Sequence, residues 1–291
     1  MDSRKKGRII NIISNIFYVE IENEIIKCTS RGIFKNKEEK PVVGDIVQVD
    51  IKEKNILEIL DRKNYIKRPK SANISKLILV VSCNKPKPDL LMLDKQLAFS
   101  EFLNIEPIII INKIDLDLEK AEEIEEIYSS IGYKVIKTNA KGLNINSKEI
   151  HNQLKNNVSA FSGNSGVGKS TLINGIFKDL ITEEGEVSHK NKRGKNTTTS
   201  IKLYKIDKNT YIADTPGFST FDIYEINYKE LYKYFKEFKK YGDKCEYQDC
   251  THIKEEKCGI KQNIGKKIPS SRYDNYVKIY NELKDREEHK W

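Results

Sequence analysis

In this 291-residue chain, Asn112-Lys113-Ile114-Asp115 precedes the loop Gly163-Asn164-Ser165-Gly166-Val167-Gly168-Lys169-Ser170, and Asp214-Thr215-Pro216-Gly217 follows both. The loop fits the phosphate-cradling pattern G-x-x-x-x-G-K-[ST]. N-K-x-D is a guanine-reading pattern, and D-x-x-G follows a γ-phosphate. In an ordinary GTP-binding domain the phosphate loop leads and N-K-x-D trails. The same three parts in this order imply a circularly permuted α/β domain. They also put the hydrolysis-sensing segment directly before the C-terminal part of the chain.

Glycines let the loop backbone curl so that successive N–H groups face phosphate oxygens. The helix expected after it adds its N-terminal dipole. The phosphate-contacting set is Gly163, Asn164, Ser165, Gly166, Val167, Gly168, Lys169, Ser170 and Thr171. Lys169 is expected to reach the β- and γ-phosphates and Ser170 to hold Mg2+. N-K-x-D is weak by itself in a chain rich in Lys and Asn. At the end of an apolar strand, beside a phosphate loop, it reads as a ligand site. Asp115 would accept hydrogen bonds from the guanine N1–H and exocyclic amine, a pair that adenine lacks. Lys113 would lie along the base, and Asn112 would tie the two loops together. Asn139-Ala140-Lys141 closes another strand and would offer a backbone N–H to guanine O6. Asp214 is placed for a water-mediated Mg2+ contact, and the Gly217 N–H for the γ-phosphate. Thr198, within Thr197-Thr198-Thr199, is expected to complete the Mg2+ shell. Lys169, Thr198 and Gly217 are the residues expected to serve catalysis. Phe218 stands where many GTPases carry a water-orienting glutamine, so slow hydrolysis alone and stimulation by a partner are expected.

Cys245, Cys250, His252 and Cys258 give the spacing C-x4-C-x-H-x5-C. Three thiolates and an imidazole fill a tetrahedral Zn2+ shell and leave no open position, so the expected role is structural. The competing reading is a set of reduced, buried thiols. Cys28 and Cys83 lie in strand-like runs and read as core residues.

Residues 1–65 read as five short strands, a small barrel of the oligonucleotide-binding type. Lys67-Arg68-Pro69-Lys70 reads as a linker. Residues 66–222 alternate strands and helices, the pattern of a parallel sheet. Residues 223–291 read as helical, with Tyr228, Leu231, Tyr232, Phe235 and Phe238 at helical spacing. A last helix is expected from Ser270 or Ser271, with Ser271 and Asp274 resembling a capping box and Tyr273, Tyr276, Val277, Tyr280 and Leu283 as its apolar stripe. The net charge of +9 suits a polyanionic partner, or only a solvated lysine-rich surface. The stretch Ser188–Ile206 carries six Lys or Arg and no acid, which suits RNA phosphates or, equally simply, a solvated loop. No apolar run is long enough to span a membrane and no leader with a cleavage site is legible, so a cytoplasmic protein is expected.

Together these parts resemble the bacterial ribosome small-subunit-dependent GTPase A family. The resemblance spans the whole chain. It rests on Arg68-Pro69 to Ala72-Asn73, the N-K-I-D loop, G-N-S-G-V-G-K-S-T, Arg193-Gly194-Lys195 before the threonines, D-T-P-G-F and the cysteine spacing. It implies a circularly permuted P-loop GTPase domain between an oligonucleotide-binding-type barrel and a zinc domain. It also implies GTP as substrate with Mg2+, one structural Zn2+, and a monomer working on the 30S subunit and its 16S rRNA in late maturation. One position departs: similar proteins usually carry a histidine just before the threonine run, and here it is Asn196. Asparagine can hydrogen-bond a water but cannot act as a general base near neutral pH. Two other readings stay open: an RNA-binding assembly factor whose nucleotide only fixes its shape, and a GTPase serving another RNA or a membrane.

Overall fold

A computed structural model describes residues 3–30, 40–139, 146–184, 201–214 and 223–289. Five strands come first: β1 (Arg4–Ile13), β2 (Ile16–Ile21), β3 (Glu24–Ser30), β4 (Ile46–Asp50) and β5 (Asn55–Ile59). They close into a barrel of order β1-β2-β3-β5-β4. Closure leaves no edge, and alternation puts Val19, Val47, Val49 and Ile56 inside, fully buried. This is the five-stranded oligonucleotide-binding architecture. The stretch read as a linker is instead the turn of a small hairpin, β6 (Tyr65–Ile66) with β7 (Ser71–Ala72). Pro69 sits in the turn, where no ladder N–H is needed.

The α/β region contributes β8 (Lys76–Ser82), α1 (Leu90–Phe102), β9 (Glu106–Asn112), α2 (Leu118–Ser130), β10 (Lys134–Thr138), α3 (Ser147–Leu154), β11 (Val158–Ser162), α4 (Lys169–Glu184), β12 (Lys202–Asp207) and β13 (Thr210–Asp214). The six strands form one sheet of order β10-β9-β8-β11-β13-β12. β9 and β10 are parallel, as are β11 and β13, while β12 returns antiparallel at the edge. Every residue of β8 and β11 is buried, as strands covered on both faces require.

The chain divides into two compact units. In the first, which holds the barrel and the β12–β13 hairpin, Glu20 of β2 is buried and accepts from Tyr211 Oη at 2.8 Å and from Lys205 Nζ. Lys205 also donates to Asn23 Oδ1 at 2.7 Å, and the Arg8 guanidinium lies 5.3 Å from the centre of the Tyr211 ring. A buried carboxylate is tolerated only with such partners. The barrel is thereby fastened to the hairpin between the threonine run and D-T-P-G.

The second unit holds α1, α2 and the C-terminal region. Residues 228–240, read as helix, form short 3-10 turns, Tyr228–Tyr234 and Lys236–Lys240, which still bury Leu231, Phe235 and Phe238. Helix α5 spans Ser270–Glu288, with Pro269 at its N-cap and no side-chain cap bond. Its buried face comprises Arg272, Asn275, Tyr276, Ile279, Tyr280 and Leu283, rotated from the stripe read in sequence so that Tyr273 and Val277 are only partly covered. The two polar residues of this face, Arg272 and Asn275, meet Asp94 of α1. Arg272 donates to Asp94 Oδ1 at 2.6 Å and to both Glu237 oxygens at 2.8 and 3.1 Å. Asn275 and Tyr128 supply two further bonds to Asp94, at 2.7 and 2.8 Å. Burial opposes the Arg272 charge, yet Asp94 and Glu237 hold its pKa well above the usual value.

Candidate nucleotide and metal sites

The phosphate loop follows β11 and the N-K-I-D loop follows β9, both at the carboxyl ends of buried strands. Ligands of open α/β sheets bind at such ends. Asn112 is buried and donates from Nδ2 to the Val167 carbonyl at 2.7 Å. Its Oδ1 accepts from the Lys113 N–H at 2.8 Å, which helps hold Lys113 in the left-handed region at φ 65°. Lys113 Nζ then reaches the Gly166 carbonyl at 2.7 Å and the Lys85 carbonyl. The N-K-I-D loop is therefore stitched to the phosphate loop at two carbonyls. Asp115 is exposed in the turn Ile114–Leu116, its carboxylate open to a ligand.

Two glycines are required by geometry. Gly163 has φ +138°, and a β-carbon there would stand 2.1 Å from the Val80 carbonyl oxygen. Gly168 has φ +101°, and its β-carbon would stand 2.2 Å from Asn112 Nδ2. Asn164 donates to Asp89 at 3.2 Å, and Asp89 caps α1 by accepting from the Met92 N–H at 2.9 Å. No sequence pattern singled out Asp89, although an Asp just before an apolar helix is a recognisable cap. Lys169 folds over its own loop, donating to the Gly163 and Asn164 carbonyls at 2.5 and 2.8 Å, and burial lowers its pKa. Ser165, Ser170 and Thr171 are exposed and Val167 is buried. Asn139 ends the described part of its loop. Ala140, Lys141, Asn196, Thr198, Gly217 and Phe218 lie outside the described residues, and for Asp214 only its place at the end of β13 is described.

In the second unit, Cys245, Cys250, His252 and Cys258 bring their ligand atoms within 4.8 Å of one another. Cys245 Sγ lies 3.9 Å from Cys258 Sγ, and His252 Nδ1 lies 3.6 and 3.3 Å from those two sulfurs. A tetrahedral zinc with bonds of about 2.3 Å to sulfur and about 2.0 Å to nitrogen needs ligand separations close to these. Burial lowers the His252 pKa to about 4, so the imidazole is neutral, the form that binds metal. Burial also raises the Cys250 and Cys258 thiols, a cost that a divalent cation would offset. The donor set therefore fits zinc. Glu255 braces the same loop, accepting from the Thr251, Ile253 and Lys254 N–H groups at 2.7 to 3.0 Å.

A phosphate loop, a stitched N-K-x-D loop and a sheet of this order define a circularly permuted GTPase. The RsgA GTPase family profile matches residues 59–224, and the RsgA N-terminal domain profile matches residues 6–56. The chain belongs to the RsgA GTPase family. It is 41% identical over 295 residues to the small ribosomal subunit biogenesis GTPase RsgA of Thermotoga maritima, covering 97% of this chain and 98% of that one. It is 38% identical over 287 residues to the protein of that name from Ruminiclostridium cellulolyticum, covering 96% and 94%. Among solved structures, it is similar to YjeQ from Thermotoga maritima (TM-score 0.83, 39% identity, 96% of this chain and 98% of that one). YloQ, described as a circularly permuted GTPase, gives TM-score 0.79 at 31% identity, over 97% and 96%.

Proposed function

We propose that this GTPase hydrolyses GTP on the small (30S) ribosomal subunit during that subunit's late maturation, and that it contacts 16S rRNA. The observation that carries this reading is the similarity to small ribosomal subunit biogenesis GTPases over nearly the full length of both chains. In this reading GTP occupies the stitched loops. Asp115 selects guanine, with Asn112, Lys113, Asn139, Ala140 and Lys141 around the base. Residues 163–171 hold the phosphates. Ser170 and Thr198 would hold Mg2+, with Asp214 acting through water. When bound, that ion would supply positive charge that offsets the charge of the phosphates. Cys245, Cys250, His252 and Cys258 would hold a structural Zn2+. Lys169, Thr198 and the Gly217 N–H act on the γ-phosphate. We assign the barrel to 1–65, the GTPase domain to 66–222 and the zinc domain to 223–291, in a cytoplasmic monomer.

The test is GTP turnover by the purified chain with and without purified small subunits, with Lys169→Ala as control. Slow turnover alone and a rise of at least about tenfold with subunits is expected, since a partner supplying the missing catalytic group is worth orders of magnitude. Subunit binding without any rise in turnover would overturn the catalytic reading and leave a nucleotide-shaped assembly factor.

A further inference from the structure

A pocket of about 540 Å3 opens in the C-terminal region beside the cysteine–histidine cluster. One water fills about 30 Å3, so a metal ion alone leaves most of this space vacant. The volume falls in the range of small-molecule sites. Its floor is aromatic. The rings of Tyr232 and Phe238 stand edge-on to the His252 imidazole, with centroids 5.2 and 5.7 Å away. Tyr247 lines the pocket and is 55% exposed, so its ring is accessible from solvent. Asp243 and Gln248 add an acceptor carboxylate and a two-way amide to the lining. Lys239 lines the pocket too, and Lys240 and Lys244 are exposed nearby in sequence. Among the described residues, no carboxylate pairs with any of these three lysines, whereas Lys233 is occupied by Glu230 at 2.6 Å.

We propose that this pocket takes one unstacked nucleotide of single-stranded RNA. The base stacks on Tyr247 over the aromatic floor, its edge meets Asp243 and Gln248, and its phosphate meets Lys239 and its neighbours. Flat faces, polar edges and unpaired cations together match a splayed nucleotide. A duplex hides its base faces and would not enter. The inference rests on the reading that the chain works on ribosomal RNA, and adds where and in what form a strand is gripped. It also ties that grip to zinc, because Cys245, Cys250 and His252 are among the residues that line the pocket.

The test uses the full chain loaded with zinc and a single-stranded RNA 12-mer carrying 5-iodouridine, with the matching duplex as comparison. Photo-crosslinks are expected at Tyr247 or Tyr232. Tyr247→Ala should weaken single-strand binding about tenfold, in line with the loss of one base stack, and Tyr247→Phe should stay within about twofold. Zinc content reports whether Tyr247→Ala is folded. If it is not, the wild-type crosslink map alone decides. Crosslinks confined to the barrel, or equal binding by a zinc-replete Tyr247→Ala, would overturn the proposal. So would loss of subunit binding by Tyr247→Ala with no RNA crosslink in residues 232–252, which would assign the pocket to a ribosomal protein. Subunit-stimulated turnover, measured separately, tells failure of this inference from failure of the ribosomal reading.

Discussion

A β-carbon at position 168 would stand 2.2 Å from the Asn112 amide, a residue 56 positions earlier in the chain. The clash is with the group that stitches the two loops, so Gly168→Ala should do more than stiffen a turn. It should displace Asn112 from the Val167 carbonyl and weaken fluorescent GDP binding by at least about tenfold, the factor for roughly 1.4 kcal/mol of lost hydrogen bonding. Unaltered affinity would mean the stitch carries no binding energy. At Asp115 the expected change is in specificity. With asparagine there, the amide offers a donor that suits a carbonyl at C2 of the base, so Asp115→Asn should lose GTP affinity and gain xanthosine triphosphate affinity in a competition titration. These residues were legible in the sequence because their chemistry dictates type and spacing together. Asp89 was not, because one cap carries no such pattern. Lys113 and Lys169 were legible as residues but not in their present contacts, which are loop carbonyls rather than a nucleotide.

The elements divide along the same line. Strands β8 and β9 are readable because burial on both faces leaves continuous apolar runs. The segment 228–240 reads as regular helix because its aromatic residues keep helical spacing, while the backbone takes tighter 3-10 turns. The buried face of α5 departs from its apolar stripe for a different reason. Hydrophobic periodicity cannot count a buried arginine, and Arg272 is 1% exposed because two carboxylates from other elements meet it. Removing one partner of such a cluster strands the others in low dielectric. Arg272→Met is therefore predicted to cost about 3–5 kcal/mol in urea unfolding. Asp94→Asn, which keeps the shape and leaves Glu237 opposite the arginine, should cost less. The metal loop gives a parallel expectation: Cys258→Ser, or chelation of the intact chain, should remove protection from hydrogen exchange in residues 245–260.

At the scale of the molecule, permutation gives each end of the GTPase region its own attachment. The barrel is fastened through Glu20 to the hairpin β12–β13, which links the threonine run to D-T-P-G. The C-terminal module is fastened through Arg272 to α1 and also follows D-T-P-G directly in the chain. Rearrangement of switch segments when the γ-phosphate leaves is a common route by which such proteins signal. Hydrogen exchange compared between GDP and a non-hydrolysable GTP analogue should therefore differ both in β2 and in residues 223–289. Identical patterns in the two states would remove the coupling from consideration. Glu20→Gln should reduce the response in β2 and leave that in 223–289.

The strand order β10-β9-β8-β11-β13-β12 also sets a timetable for the chain's own synthesis. The barrel strands are complete by Ile59 and can close while the rest is still being made. Then β8, β9 and β10 emerge, but β11, which covers the other side of β8, is translated only after α2, β10 and α3. Until then the most apolar strand of the sheet has one bare edge, the condition that invites mispairing. A domain with its phosphate loop first would meet a different sequence of exposures. A factor proposed to help finish ribosomes thus presents its own ribosome with a half-built sheet, and its yield should depend on how quickly residues 158–162 follow residues 76–82 out of the exit tunnel.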